Sequence, residues 1–279
     1  MPIGAFLAVL LSALLHASWN ALIKQQRDTR GALVAGIVGS AVPAVLVLGV
    51  VGLPPVSVLP WLAAAAIVNI TTTAMLARAY AAADFAVVYP LTRGLVPLVL
   101  ALVTPLLFGE LLVAHRLAGV GCVSAGIAAL GWVSIRRNAR LDLVAFAYAV
   151  PTALSTATYV LIDAHAARLG HAPVAYAASA SAVNGIVMLA YDWARGQDVA
   201  ANLRRHASVG AIVGTLALIS YLLFVWALAR APVALAAALR ESSILFAVLI
   251  AILVLKERLA PARLAAIAVM VAGIVLIRI

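Results

Sequence analysis

This sequence has little of what a soluble enzyme is built from. Only 10% of its 279 residues are charged and 6% are aromatic, while 66% are apolar and the mean hydropathy is +1.17. A soluble domain carries about a quarter of its residues charged. So much apolar surface cannot be enclosed by so short a chain, so a soluble fold is excluded and the bilayer is the expected solvent. A single cysteine, Cys122, rules out an intrachain disulfide and suggests no thiolate metal site. There is no P-loop and no HExxH, and no Ser–His–Asp set stands out, so ATP hydrolysis and the common hydrolase chemistries lack their residues. Acid is scarce: nine carboxylates face nineteen Lys and Arg, a formal charge of +10. The basic residues form no stripe with aromatics, so nucleic-acid binding is not expected, and the charge reads as topology and attraction to anionic lipid. No cofactor and no metal are expected. The expected partners are membrane lipid and a small-molecule substrate, with the chain a monomer or a homodimer.

What is present is a series of apolar runs. Ten reach the length needed to cross the hydrocarbon core, at about 3–23, 32–53, 60–82, 85–108, 113–135, 143–165, 172–192, 208–229, 232–255 and 260–278. Runs of this length are helices, because a barrel would need alternating segments of about ten residues. The breaks are short, and the longest polar connector is Asp192–His206. The N-terminal run has the length of a signal peptide, but its first basic residue is Lys24, beyond the apolar stretch, so a retained helix is expected.

The chain repeats itself. "FGELLVAHRLAGVGCVSAGIAALGW" (Phe108–Trp132) aligns without a gap on "LKERLAPARLAAIAVMVAGIVLIRI" (Leu255–Ile279) at an offset of 147, with eight identities that include Glu110 on Glu257, Arg116 on Arg263 and Gly126 on Gly273. The same offset sets Arg93 on Arg240. The expected organisation is a first five-helix repeat at 1–135, a basic linker at 136–142 and a second repeat at 143–279. Five spans return the chain on the opposite face, so the halves are predicted to be inverted. Inverted repeats typify secondary transporters whose site lies near the midplane.

With "LHASWNALIK" in helix 1, a "GE" turn before helix 5 and "LRESSILFAVLIAILVLKE" before helix 10, the chain resembles the EamA branch of the drug/metabolite transporter superfamily. The resemblance covers essentially the whole chain. It implies an all-α membrane protein of ten transmembrane helices in two inverted five-helix repeats, in a bacterial inner membrane, moving small metabolites. The second copy reads "KE" where the first has "GE". Thirteen of the nineteen basic residues lie on odd-numbered loops, which the positive-inside rule puts in the cytoplasm with both termini outside. The resemblance implies cytoplasmic termini instead.

Candidate site residues are the polar groups that such greasy helices can least tolerate. Arg93 and Arg240 lie inside their spans, where an arginine costs about 2.5–3.5 kcal/mol on insertion scales. Each must face protein, a wet cavity or a nearby interface; as cavity residues they would bind an anionic or carboxylate-bearing solute. Pro90 and Pro97 flank Arg93 and are expected to break the backbone hydrogen-bond ladder there, which is tolerated where the helix lines a cavity. Glu241 is the carboxylate well inside a span, with Asp163 nearer an end. Adjacent helical residues diverge by about 100°, so Glu241 needs a partner other than Arg240. Arg93 is the candidate, and Glu241 the expected coupling residue if protons drive transport. His16, Asn20 and Lys24 share one face of helix 1, beside Trp19. Asn69, Tyr89, Tyr148 and Tyr159 complete the expected cavity lining. Thr152, Ser155, Thr156 and Ser220 read equally as interhelical hydrogen bonds. Small-residue stripes at Ala35 and Gly39 and at Ala177, Ser181 and Gly185 suit close packing. Glu110 and Glu257 are expected to complement the N-terminal dipoles of helices 5 and 10.

The reading that follows is a secondary transporter, expected to export small polar or amphipathic metabolites by alternating access. Two other classes make different demands on the sequence. An integral membrane enzyme on lipid-linked substrates would need carboxylates or histidines clustered at one face, which are lacking. A non-transporting partner or scramblase would need a polar furrow open to lipid.

Overall fold

The structure is a computed structural model that describes residues 1–82, 85–135, 143–255 and 260–279. The basic linker at 136–142 and Glu257 lie outside the described residues. Within the described residues the secondary structure is helical, without strands. The helices are α1 (Ile3–Lys24), α2 (Thr29–Val51), α3 (Leu59–Ala82), α4 (Phe85–Phe108), α5 (Ala114–Ile135), α6 (Leu143–Leu169), α7 (Pro173–Ala194), α8 (Val199–Arg205), α9 (Ala207–Leu228), α10 (Val233–Arg240), α11 (Ser243–Leu255) and α12 (Pro261–Arg278). Local signals set several starts. Asp28 Oδ1 accepts from the Gly31 N–H at 2.8 Å, Asp198 Oδ1 caps α8 through the Ala201 N–H at 2.9 Å, and Pro173 and Pro261 open their helices.

Nine stretches among the described residues are long and apolar enough to cross a membrane. Ten were expected, and the shortfall is α6. At 27 residues α6 has the length of a span, and its first eighteen residues, Leu143–Val160, carry no charge. A second difference concerns continuity. The span expected at 232–255 is two helices, α10 and α11, separated at Glu241–Ser242. Beside Arg93, α4 runs as one helix through Pro90, Pro97 and Pro105, each of which lacks the N–H of a ladder bond. A proline removes one ladder bond, and neighbouring helices can compensate for that in a bundle. The polar connector after α7 forms the short helix α8.

Bulky apolar side chains face outward, with Leu46, Leu102 and Leu106 each more than two-thirds exposed, as a lipid-facing wall requires. The interior is organised around α10, in which no residue from Val233 to Leu239 is more than 4% exposed. Helix α1 packs on α9, α10 and α11, while α6 packs on α3 and α4. Two helix pairs approach backbone to backbone. A Cβ on Gly39 would strike the Gly210 carbonyl, locking α2 to α9, and one on Gly273 would lie 2.7 Å from the Gly119 carbonyl, joining α12 to α5. Gly126, the partner of Gly273 in the repeat, packs on Met270 of the same pair. The small residues act in packing, as their spacing implied.

Candidate functional site

The break between α10 and α11 places Arg240, Glu241 and Ser242 deep in the bundle. Glu241 and Ser242 are 4% and 2% exposed. Across from them, Arg93 projects from α4 and His16 from α1. Arg93 Nη1 donates to Glu241 Oε1 at 3.3 Å, so Glu241 takes the partner expected for it. The second Arg93 nitrogen meets His16 Nε2 at 3.3 Å, and the Tyr89 ring lies 5.4 Å from its guanidinium carbon. His16 also packs edge-on against Trp19, with ring centroids 4.9 Å apart. One arginine thus draws together α1, α4 and the helix break.

Arg240 is placed differently. Its guanidinium lies over the Phe224 ring at 4.0 Å, a cation–π contact, and among the described residues it makes no ion pair. Beside it, Glu241 Oε2, Ser242 Oγ and Thr92 Oγ1 are buried without a hydrogen-bond partner among the described residues. Buried polar atoms are normally satisfied, and the two residues of the break, Glu241 and Ser242, each carry one that is not, among the described residues. The groups there are the Arg240 guanidinium, stacked on Phe224, a carboxylate with one oxygen on Arg93, and the Ser242 hydroxyl.

A cavity of about 170 Å³ opens next to this cluster. It is lined by Trp19 of α1, Leu33 and Ile37 of α2, Tyr159 of α6, Asn184 of α7 and Tyr221 of α9. Trp19 and Tyr159 line it, whereas the two arginines are not among its lining. The physical reason is the engagement of both guanidiniums, one by Glu241 and His16, the other by Phe224. Asn20 is exposed and donates its amide to the His16 carbonyl at 2.7 Å, so its group is turned back on its own helix. Tyr148 is exposed as well. Asn69 is half-buried on α3, outside the cavity lining. The hydroxyls of α6 follow the structural reading: Thr152 and Thr156 bond back to their own helix, and Ser155 pairs with Thr72 at 2.6 Å. Ser12 and Ser220 each donate to the other's carbonyl, joining α1 to α9.

Asp163 was undervalued by its place near a predicted span end. Helix α6 continues to Leu169, and Asp163 is fully buried. Its oxygens accept from the phenols of Tyr176 and Tyr221, both at 2.8 Å. A signal was present in the sequence: at the offset of 147, Asp163 falls on His16.

Polar contacts also gather at the two ends of α9. At its start, His206 Nε2 lies 3.2 Å from Asp28 Oδ2, Arg30 pairs with Asp192 at 3.2 Å, and Asn202 donates to the Gly31 carbonyl. The Gly31 amide and His206 hold the Asp28 carboxyl below the usual carboxylate range. At the other end, Glu110 Oε1 meets Arg168 Nη2 at 2.6 Å, and its Oε2 accepts from the Val233 N–H at 2.7 Å. Arg168 in turn donates to the carbonyls of Leu228 and Ala231. Glu110 was expected to complement the start of α5. It serves the N-terminus of α10 instead, because α5 begins only at Ala114, four residues on.

Among the described residues no group of His, Cys, Asp or Glu could hold a metal ion. These features define a helical membrane protein with a polar centre at a helix break. Residues 143–279 match the model of the EamA-like transporter family, and this half of the chain belongs to that family. A solved structure, titled only as the crystal structure of a protein, is 18% identical and superposes with a TM-score of 0.75, covering 99% of this chain and 96% of that one. At that identity the likeness shows the fold alone. A search of curated proteins finds no match.

Proposed function

We propose that this protein is a secondary transporter, most simply an exporter, that moves a small solute bearing an anionic group by alternating access between two inverted five-helix halves, 1–135 and 143–279. The observation that carries the reading is Arg240, a guanidinium deep in the bundle with no carboxylate partner among the described residues. An arginine so placed costs several kcal/mol to bury, and a planar carboxylate or phosphate would satisfy it bidentately. Trp19, Tyr159 and Tyr221 offer ring surface to the rest of the solute. The inverted arrangement is supported by the 147-residue offset and by an exchange in packing. Helix α1 lies on α9 as α6 lies on α3, and α1 lies on α10 and α11 as α6 lies on α4. In this reading Glu241 is the coupling residue, since its pairing with Arg93 can be exchanged for a proton and a solute. The contact clusters at the two ends of α9 serve as alternating closures.

The test is efflux of a metabolite panel into or from inverted vesicles. Arg240→Ala should abolish transport of the anionic solute that wild type moves, and Glu241→Gln should abolish its accumulation against a gradient. Undiminished transport in both variants would overturn the site assignment.

A further inference from the structure

We infer that Asp163 is a proton-binding site that switches the cavity wall from hydrogen-bond acceptor to hydrogen-bond donor through Tyr221. This deepens the transport reading and rests on it for its biological meaning, although the site itself is defined by geometry alone.

Asp163 has no exposed surface, and among the described residues no cation lies within ion-pair distance of it. A buried carboxylate without a counter-ion is costly, and inside a membrane protein it is a functional group by default. Three phenols surround it: Tyr176 and Tyr221 donate to it, and Tyr159 lies within hydrogen-bonding reach of both the carboxylate and Tyr221. Tyr176 occupies Oδ1 and Tyr221 occupies Oδ2, both at 2.8 Å. Tyr176 is itself buried, whereas Tyr221 also lines the 170 Å³ cavity, with its ring stacked on Tyr159 at 6.5 Å. Tyr221 therefore has one side on the carboxylate and the other on the space a solute would enter.

A phenol carries one hydrogen. While Asp163 is ionised, Tyr221 spends that hydrogen on Oδ2 and shows only lone pairs elsewhere. When a proton from the aqueous side adds to Oδ2, the new acid O–H donates to the Tyr221 oxygen. The phenol hydrogen is then free to turn into the cavity. No bond beyond these breaks, and the charge of the site rises by one. The wall that presented lone pairs now presents a donor, suited to an anion. The other charged and titratable groups nearby are Tyr159 and His165 on α6, Tyr176 on α7, Tyr221 on α9 and Arg240 on α10, with Glu241, Arg93 and His16 across the bundle. Arg240 lies within electrostatic reach of Tyr159 and Tyr221. An anion bound at Arg240 would draw on the field that stabilises ionised Asp163, so anion and proton should bind cooperatively. By linkage, each favours the other to the same degree.

Infrared difference spectroscopy of proteoliposomes, with pH as the only variable, tests this without a substrate. Wild type should show a carboxylic-acid carbonyl band that appears on acidification, together with a change in the phenol C–O band of ring-labelled tyrosine. Asp163→Asn should lose both. Tyr221→Phe should shift the carboxyl band and lose the tyrosine change, and Glu241→Gln should keep both. Should Asp163→Asn fail to fold, the Tyr221→Phe spectrum decides. A carboxyl and tyrosine difference spectrum identical in wild type and Asp163→Asn, or a carboxyl band unmoved by Tyr221→Phe, would overturn the assignment. Because no transport is measured, such a failure would leave the anion-transport reading standing, and inactive Arg240 variants would leave this one standing.

Discussion

Removing the carboxylate of Glu110 should loosen one end of the bundle by a readable amount. Glu110 accepts two bonds, from Arg168 at 2.6 Å and from the Val233 N–H at 2.7 Å. The arginine side chain is 28% exposed, so water can replace part of that bond, and its worth falls to the low end of the charge-assisted range, about 1.5 kcal/mol. Val233 is fully buried, so its stranded N–H adds about 1–3 kcal/mol. Glu110→Ala should therefore cost about 3 kcal/mol. In a chain of this size each kcal/mol lowers the midpoint by about 2–4 °C, so a fall of about 6–12 °C is expected. Glu110→Gln keeps an acceptor for Val233 and should lose about half as much. Cys122 is the sole cysteine and is half-buried in α5, so a thiol-reactive dye reports unfolding without engineering. A double-mutant cycle with Arg168→Ala isolates the pair and should show a coupling of about 1 kcal/mol. An unchanged midpoint in Glu110→Ala, or strict additivity with Arg168→Ala, would refute the reasoning.

At the opposite end of α9, Gly39→Leu should separate α2 from α9, because even a Cβ strikes the Gly210 carbonyl; loss of a folded peak on size exclusion would register it, and a wild-type profile would contradict it. The Asp28 carboxyl is held below the ordinary carboxylate range by the Gly31 amide and His206, so its contribution is present above that range and is lost as pH falls through the folded value. Hydrogen exchange at the start of α2 should accordingly quicken only in acid, and Asp28→Asn should remove that pH dependence; identical profiles would argue against the contact. Replacing both Ser12 and Ser220 with Ala should cost about 1 kcal/mol in total, at about 0.6 kcal/mol per interhelical bond, again read with the Cys122 dye.

Some of this arrangement is legible in the residues alone. The offset of 147 pairs Arg93 with Arg240, and the divergence of neighbours on a helix sends Glu241 to Arg93, where the structure has it. The helix break is not legible, because "RESS" carries neither Gly nor Pro, while three prolines in α4 point to the wrong helix. Tertiary packing around α10 decides the matter, and no local propensity reports it. Asp163 was placed near a span end because hydropathy fades where polar residues cluster, yet α6 runs on to Leu169 to bury it. Much of the cavity wall on α2 is Leu33, Gly36 and Ile37, which carry no chemical signature and become cavity residues only through the position of α9. Glu110 looked like a cap for its own helix because only its neighbours in sequence were visible.

The central claim of the transport reading is that the Arg240 guanidinium, held in the bundle over Phe224, is the group that binds an anionic solute. Arg240→Cys in a Cys122→Ser background, treated in proteoliposomes with charged thiol reagents that do not cross lipid, tests it most directly. The account predicts that transport of the anionic solute, lost in Arg240→Cys, returns when the cationic reagent restores a positive charge at that position and stays lost with the anionic one. Undiminished transport in Arg240→Cys, or equal recovery with the anionic reagent, would contradict it.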